Sequence, residues 1–213
     1  MAEFESFADR KTWQKGVRYL SKKDRTMARL LKKKIFEKIE LHTHHYDAIV
    51  HSIIYQQISG AAGNSILRKF KGLYGGKLPK PSQFLATKEA KVRAAGISPQ
   101  KYSYIKDLCE KIESGQLELK KFSRMPNDQI ILELDDVRGI GRWTAEMFLM
   151  FSLGRTDVLP MDDLGIRNSI KRVYKLKALP EREFMSKLEE KWRPYNSIAS
   201  LGLWFSHDNK EVK

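Results

Sequence analysis

Cysteine is almost missing from this chain: Cys109 is the only one in 213 residues. No disulfide can form within the chain, and no cysteine-ligated zinc or iron–sulfur centre can be built from it. Long apolar runs are missing too, since none approaches the roughly 20 residues that cross a bilayer. The opening, MAEFESFADRK, carries acidic residues and lacks the apolar stretch of a secretory leader. Period-two alternation bounded by hairpin turns is absent, so little sheet is expected, and neither an internal repeat nor a low-complexity tract is present. Acidic residues are in deficit: 26 Asp and Glu face 40 Lys and Arg, a net charge of +14 and a pI near 9.7. Such an excess favours a polyanionic partner held in a salt-dependent way; plain solubility is the competing use of the charge. The expectation is a soluble, intracellular monomer with no membrane association; were the polyanion DNA, that would mean wherever the chromosome is.

Helical periodicity dominates what is present. Phe4 to Tyr19 reads as an ordered arm or short helix. A helix is then expected from Ser21, with Ser21 and Asp24 as capping and first-turn residues. Met27, Leu30, Leu31, Ile35 and Ile39 would form its inner face, and Lys22, Lys23, Arg25, Arg29, Lys32, Lys33 and Lys38 a solvated or phosphate-contacting face. His42, His44 and His45 have no second ligand pair, so no metal is assigned to them. Tyr46 to Ile58 reads as a helix with Ile49, Val50, Ile53 and Ile54 on one face, continued by the polar Gln57.

Further helices follow over Ala61 to Phe70 and Phe84 to Ala95. Another is expected after Ser98-Pro99, ending at Gly115, and one more is capped by Asn127. The architecture is all-α: one compact domain over 1–213, a two-lobed bundle of nine to eleven short helices. A helix–hairpin–helix is expected at about 127–152.

The chain is organised around Leu134 to Asp163, LDDVRGIGRWTAEMFLMFSLGRTDVLPMDD. Gly139 and Gly141 bracket Ile140, and glycine lets a partner approach the backbone closely. N–H groups at the start of the following helix form a seat for a phosphate. That helix is apolar all round, which predicts a central buried element, and Asp162-Asp163 stand at the mouth of the next one.

Three motifs carry a resemblance. They are Gly139-Ile140-Gly141-Arg142-Trp143-Thr144-Ala145, Pro160-Met161-Asp162-Asp163-Leu164-Gly165-Ile166-Arg167, and Ile54-Tyr55-Gln56-Gln57-Ile58-Ser59. Together they resemble the helix-hairpin-helix DNA glycosylase superfamily and, within it, the DNA-3-methyladenine glycosylase II branch, over roughly residues 40 to 206. The lone cysteine sets the chain apart from the superfamily's cluster-bearing branch.

The resemblance implies a monofunctional enzyme that extrudes an alkylated purine from double-stranded DNA and hydrolyses its N-glycosidic bond, in a cleft between the two lobes. It implies that Asp163 is the catalytic carboxylate and leaves helix capping to Asp162. Trp143, Met147 and Trp204 would line the base pocket, where an indole adds a cation–π term for a cationic base. Gln56, Gln57 and Ser59 would enter the minor groove, and Gly139, Gly141 and Arg142 would grip a phosphate. A monovalent cation, Na+ or K+, would sit on the carbonyls of Asp135, Val137 and Ile140, with no other cofactor. Bifunctional relatives place an attacking lysine where Trp143 stands, and tryptophan cannot act as that nucleophile. A non-catalytic DNA-binding module and an oxidised-base glycosylase with lyase activity remain the alternatives.

Overall fold

In the computed structural model, residues 4–31 and 35–208 are described, and they form twelve α-helices and two 3-10 turns. The only pairing of strand type among them is an isolated antiparallel bridge, Ser6 with Arg155. The fold is all-α. The chain divides into two compact units, residues 42–148 and residues 2–41 with 149–213.

The first unit contains α3 (His45–Tyr55), α4 (Gly60–Gly72), α5 (Pro81–Leu85), α6 (Glu89–Ala94), α7 (Pro99–Glu113), a 3-10 turn (Leu119–Arg124), α8 (Asn127–Asp135) and most of α9 (Arg142–Phe151). Its core takes Ile53 and Ile54 from α3, Phe70 from α4, Phe84 from α5, Ile105 and Leu108 from α7, and Ile130 and Leu134 from α8, all fully buried. Phe148 of α9 meets Phe122 edge-on at 5.7 Å. Cys109 lies in this core beside the Tyr46 hydroxyl, and burial pushes its thiol up to about 12, which removes it as a nucleophile.

The second unit contains α1 (Arg10–Lys23), α2 (Arg25–Leu30), the 3-10 turn Phe36–Lys38, α10 (Leu164–Val173), α11 (Arg182–Trp192) and α12 (Asn196–Asp208). Residues 196–203 of α12 are all buried, so α12 is this unit's central helix. Gly16 and Gly202 set the close contacts: a Cβ at Gly16 would strike Ile198 and Tyr195, and one at Gly202 would strike Leu31.

Several sequence expectations are corrected. The segment expected as an ordered arm or short helix over Phe4 to Tyr19 is a helix from Arg10 to Lys23, capped by Asp9, whose carboxylate accepts the Thr12 N–H at 2.7 Å. Ser21 lies inside it, and Asp24 both ends α1 and caps α2, accepting from Thr26 N at 2.8 Å and Met27 N at 3.3 Å. Lys32 and Lys33 lie outside the described residues, as does the side chain of Lys38. The helix expected at Phe84 to Ala95 is two helices, because the chain leaves α5 at Ala86 and the Thr87 hydroxyl takes the Gln83 carbonyl at 2.8 Å. The α8 cap is Pro126 rather than Asn127. Ser98 and Pro99 start α7 as expected, and Gly115 follows it at φ +76°.

Asp24 is also the polar hub of the second unit. It is 4% exposed, and its Oδ2 accepts from Tyr174 Oη at 2.6 Å, Lys191 Nζ at 2.8 Å and Trp192 Nε1 at 3.2 Å. Burial by itself would raise this carboxyl, but hydrogen bonds from Lys191, Tyr174 and Trp192 and the Lys191 charge outweigh it and hold it below the usual range. A carboxylate depressed by folding stabilises the native state above its unfolded pKa of about 3.9 and loses that contribution as the pH falls through its folded value. Urea unfolding is therefore expected to show Asp24→Ala destabilised by about 3 kcal/mol at neutral pH, since it strands buried donors. The difference from wild type should narrow below about pH 4.

Candidate DNA interface and active site

The candidate residues fall into two groups, one in each unit. In the first unit, α8 and α9 flank a turn at residues 136–141. The Ile140 N–H donates to the Val137 carbonyl at 3.0 Å, and the Arg138 N–H donates to Asp107 Oδ2 of α7 at 2.9 Å. Gly139 has φ +79°, and a Cβ there would run into the ring of Tyr104, also on α7. Glycine is thus demanded twice at 139, by backbone conformation and by close approach. Gly141 is different: a Cβ there would meet nothing within 4 Å, so nothing inside the protein requires a glycine.

The Ala145 N–H bonds to the Gly141 carbonyl at 3.1 Å, which starts α9 at Gly141. The first N–H groups of α9 then have no intrahelical acceptor by helix geometry. Arg142, beside them, reaches Glu146 one turn on, with Nε 3.0 Å from Oε1. Glu146 is buried while the Arg142 side chain is 59% exposed, so the pair tethers the guanidinium base without hiding it.

Gln56, Gln57 and Ser59 lie between α3 and α4. The expected helix to Ile58 stops at Tyr55, because Gln57 turns to φ +57° and cannot continue an α-helical stripe. Gln56 Nε2 donates to the Gly139 carbonyl at 2.9 Å, tying this loop to the hairpin. Gln57 is exposed. The Ser59 hydroxyl caps α4, accepting the Ala62 N–H at 3.3 Å. Lys101, at the start of α7, donates to the carbonyls of Ile54 at 2.7 Å and Gln56 at 2.8 Å, and burial lowers its pKa.

On α9, Trp143 is 47% exposed and Met147 half-buried, while Ala145, Phe148, Leu149 and Met150 are buried. Most of the helix is buried as expected, while its first turn opens one face, where Trp143 and Met147 stand at i and i+4. Of the histidines, His45 lies edge-on to Phe148 at 5.4 Å, and His42 stands 5.8 Å from His51, which stacks on Tyr55 at 4.0 Å. No cluster of three or more metal-ligating side chains occurs among the described residues.

In the second unit, Asp163 caps α10, accepting the Ile166 N–H at Oδ1 at 2.7 Å. The same oxygen accepts the Trp204 indole N–H at 3.0 Å. This corrects the expected division of roles: Asp162 does not cap the helix but lies exposed 3.5 Å from Arg182. One residue before the helix, Asp163 alone has the geometry to bend back to its third N–H. Gly165 makes room for the contact, since a Cβ there would stand 3.1 Å from Asp163 Oδ1 and 3.5 Å from the indole. Phe151 stacks on Trp204 at 5.9 Å. Trp204 is therefore a partner of the carboxylate, which its assignment as a pocket wall did not anticipate.

The profile of the HhH-GPD superfamily of base excision DNA repair proteins matches residues 50–194, which take in the first group and Asp163 but not Trp204. The chain belongs to this family. DNA-3-methyladenine glycosylase 1 of Schizosaccharomyces pombe is 34% identical over 161 residues, 75% of this chain and 71% of that protein. A solved structure of the S. pombe 3-methyladenine DNA glycosylase in complex with abasic DNA superposes with a TM-score of 0.78 at 30% identity, covering 93% of this chain and 99% of that one. A DNA-3-methyladenine glycosidase from Bacillus halodurans gives 0.81 at 29% identity, covering 99% and 96%.

Within this HhH-GPD chain, the motif residues were legible in sequence, but Lys101, Tyr104, Asp107 and Lys111 were not. They recur along α7 at helical spacing, and Lys111 pairs with Asp136 at the end of α8. Only that periodicity could have flagged them, because their partners are remote in sequence.

Gly139→Ala is expected to strain the backbone and displace Tyr104, costing about 1–3 kcal/mol. Thermal unfolding should report it as a drop of several degrees, and duplex DNA binding should weaken in parallel. Gly141→Ala should leave the melting temperature unchanged and weaken DNA binding alone.

Proposed function

We propose that this protein is a monofunctional DNA glycosylase that removes alkylated purines, such as 3-methyladenine and 7-methylguanine, from double-stranded DNA. The observation that carries the reading is Asp163: a carboxylate with one oxygen fixed by the Ile166 N–H and the Trp204 indole, within the segment shared with the family. A non-catalytic DNA-binding module would need this carboxylate only as the cap of α10.

Alkylation at a ring nitrogen makes the purine cationic, so the base is already an activated leaving group. As the C1′–N bond breaks, its electron pair goes with the base, which departs neutral, and positive charge moves to the deoxyribose. Asp163 stabilises that charge, and water then adds at C1′ and releases a proton, leaving an abasic site on an intact strand. Trp143 and Met147, on the open face of α9, would contact the extruded base, with an indole favouring a cationic ring. Gly139, Gly141 and Arg142 would take a backbone phosphate at the start of α9, and the open space at Gly141 suits an approaching backbone. Gln57, with Gln56 and Ser59 behind it, would fill the position the nucleotide leaves.

The carbonyls of Asp135, Val137 and Ile140 are neutral oxygen donors of the type a hard monovalent cation accepts, and those of Asp135 and Val137 stand at or just beyond the end of α8, where carbonyls lack intrahelical donors. Na+ or K+ held there would add positive charge beside the phosphate. The Val137 carbonyl already accepts the Ile140 N–H, which leaves it one lone pair for an ion.

Duplexes with one defined lesion each are expected to release the free base on incubation with wild type. Asp163→Asn should slow release by about 100- to 1000-fold with duplex affinity retained. Borohydride should trap no covalent adduct, because no lysine stands at 143. Full activity of Asp163→Asn would overturn the mechanism, and a trapped adduct would reassign the protein to the lyase class. Equal binding of lesion-bearing and intact duplex with no base released would make it a binding module.

A further inference from the structure

The loop that leaves α3 holds an unfavourable backbone. Gln57 has φ +57°, a conformation that non-glycine residues adopt at a cost and that persists only when the surroundings enforce it. The loop's own residues do little of the enforcing. Ser59 is engaged in capping α4, and the amide of Gln56 is bonded to Gly139. The carbonyls of Ile54 and Gln56, on either side of the point where α3 ends, are instead gathered by one group, the Lys101 ammonium, at 2.7 and 2.8 Å.

That arrangement is unusual for a lysine. No carboxylate pairs with it among the described residues, and burial disfavours its charge. A helix that merely had to stop could leave its last carbonyls to water. Here a partly desolvated cation bridges two carbonyls that flank the turn and so restricts the backbone immediately before Gln57. Along α7, Tyr104 one turn later underlies Gly139, and Asp107 one turn beyond takes the Arg138 N–H. One face of α7 thus holds both segments of the first unit that the glycosylase reading assigns to DNA.

We propose that Lys101 is a positioning residue for Gln57: by clamping the carbonyls of Ile54 and Gln56 it presents Gln57 in the one backbone conformation that fills the space left by an extruded nucleotide. The inference rests on the reading of Gln57 given above, and it predicts that Lys101 matters to DNA through Gln57 and by no other route.

A double-mutant cycle on the full chain tests it. Dissociation constants are measured for a duplex bearing a tetrahydrofuran abasic analogue and for the same duplex intact, and their ratio is the abasic preference. Gln57→Ala and Lys101→Met are each expected to lower that preference by about tenfold, the equivalent of 1.4 kcal/mol. The double variant should fall no lower than Gln57→Ala alone, because a positioning residue has nothing left to position. Lys101→Arg, which keeps a cation able to donate to both carbonyls, should retain the preference. Losses that add in the double variant, or an unchanged preference in Lys101→Met, would overturn the proposal. If Lys101→Met does not fold in a thermal scan, the cycle is run with Lys101→Gln, whose shorter amide cannot span both carbonyls. Base release by wild type is scored separately. Its absence would remove the glycosylase reading, while the cycle would still decide whether Lys101 acts through Gln57.

Discussion

Every helix end leaves N–H or carbonyl groups that the helix itself cannot satisfy, and a chain of a dozen short helices meets that constraint at every junction. At five N-termini among the described residues, and at the end of α3, this protein meets it with side chains. Asp9, Asp24, Ser59, Ser98 and Asp163 take N-terminal N–H groups, and Lys101 takes carbonyls where α3 ends. The junctions are also where the candidate DNA-contacting and catalytic residues stand. Ser59 and Asp163 are caps, Gln56 and Gln57 follow a helix end, and Gly141 begins α9. On the proposed reading, capping and function are not separate tasks: the bonds that close a helix would hold a reactive or recognising group still.

Asp163 illustrates the consequence. Its Oδ1 is bound by a backbone N–H and by an indole N–H from another helix, so the carboxylate is oriented before any substrate arrives. Preorganisation of this kind lets an enzyme stabilise developing charge without reorienting its own dipoles during the reaction. Asp24 shows the same chemistry put to structural use. It caps a helix and also accepts from an indole, but with Tyr174 and Lys191 around it as well, it has become a buried hub with no access for a ligand.

The helical character of the fold was readable from period and composition, as were the Ser98-Pro99 start of α7, the Asn127–Phe151 span of the hairpin helices and the core positions of α3. Boundaries were read less well wherever a side chain could cap in either direction. Asp24 interrupts what looked like one continuous inner face, and Thr87 divides another. At Asp162-Asp163 two adjacent carboxylates offered the same chemistry, and only the approach of Ile166 N–H and Trp204 to the second one separated cap from bystander.

By itself the sequence determined the class of the protein: motifs in which glycine, tryptophan and aspartate occur at set spacings encode local backbone geometry, and local geometry needs no distant partner. Tertiary structure decided which groups hold those motifs in place. Lys101 beneath Gln56, Tyr104 beneath Gly139 and Trp204 beside Asp163 are contacts between residues 35 to 45 positions apart. Their physical basis, a cation on helix-end carbonyls, a ring against a bare Cα and an indole on a carboxylate, exists only once the chain has folded.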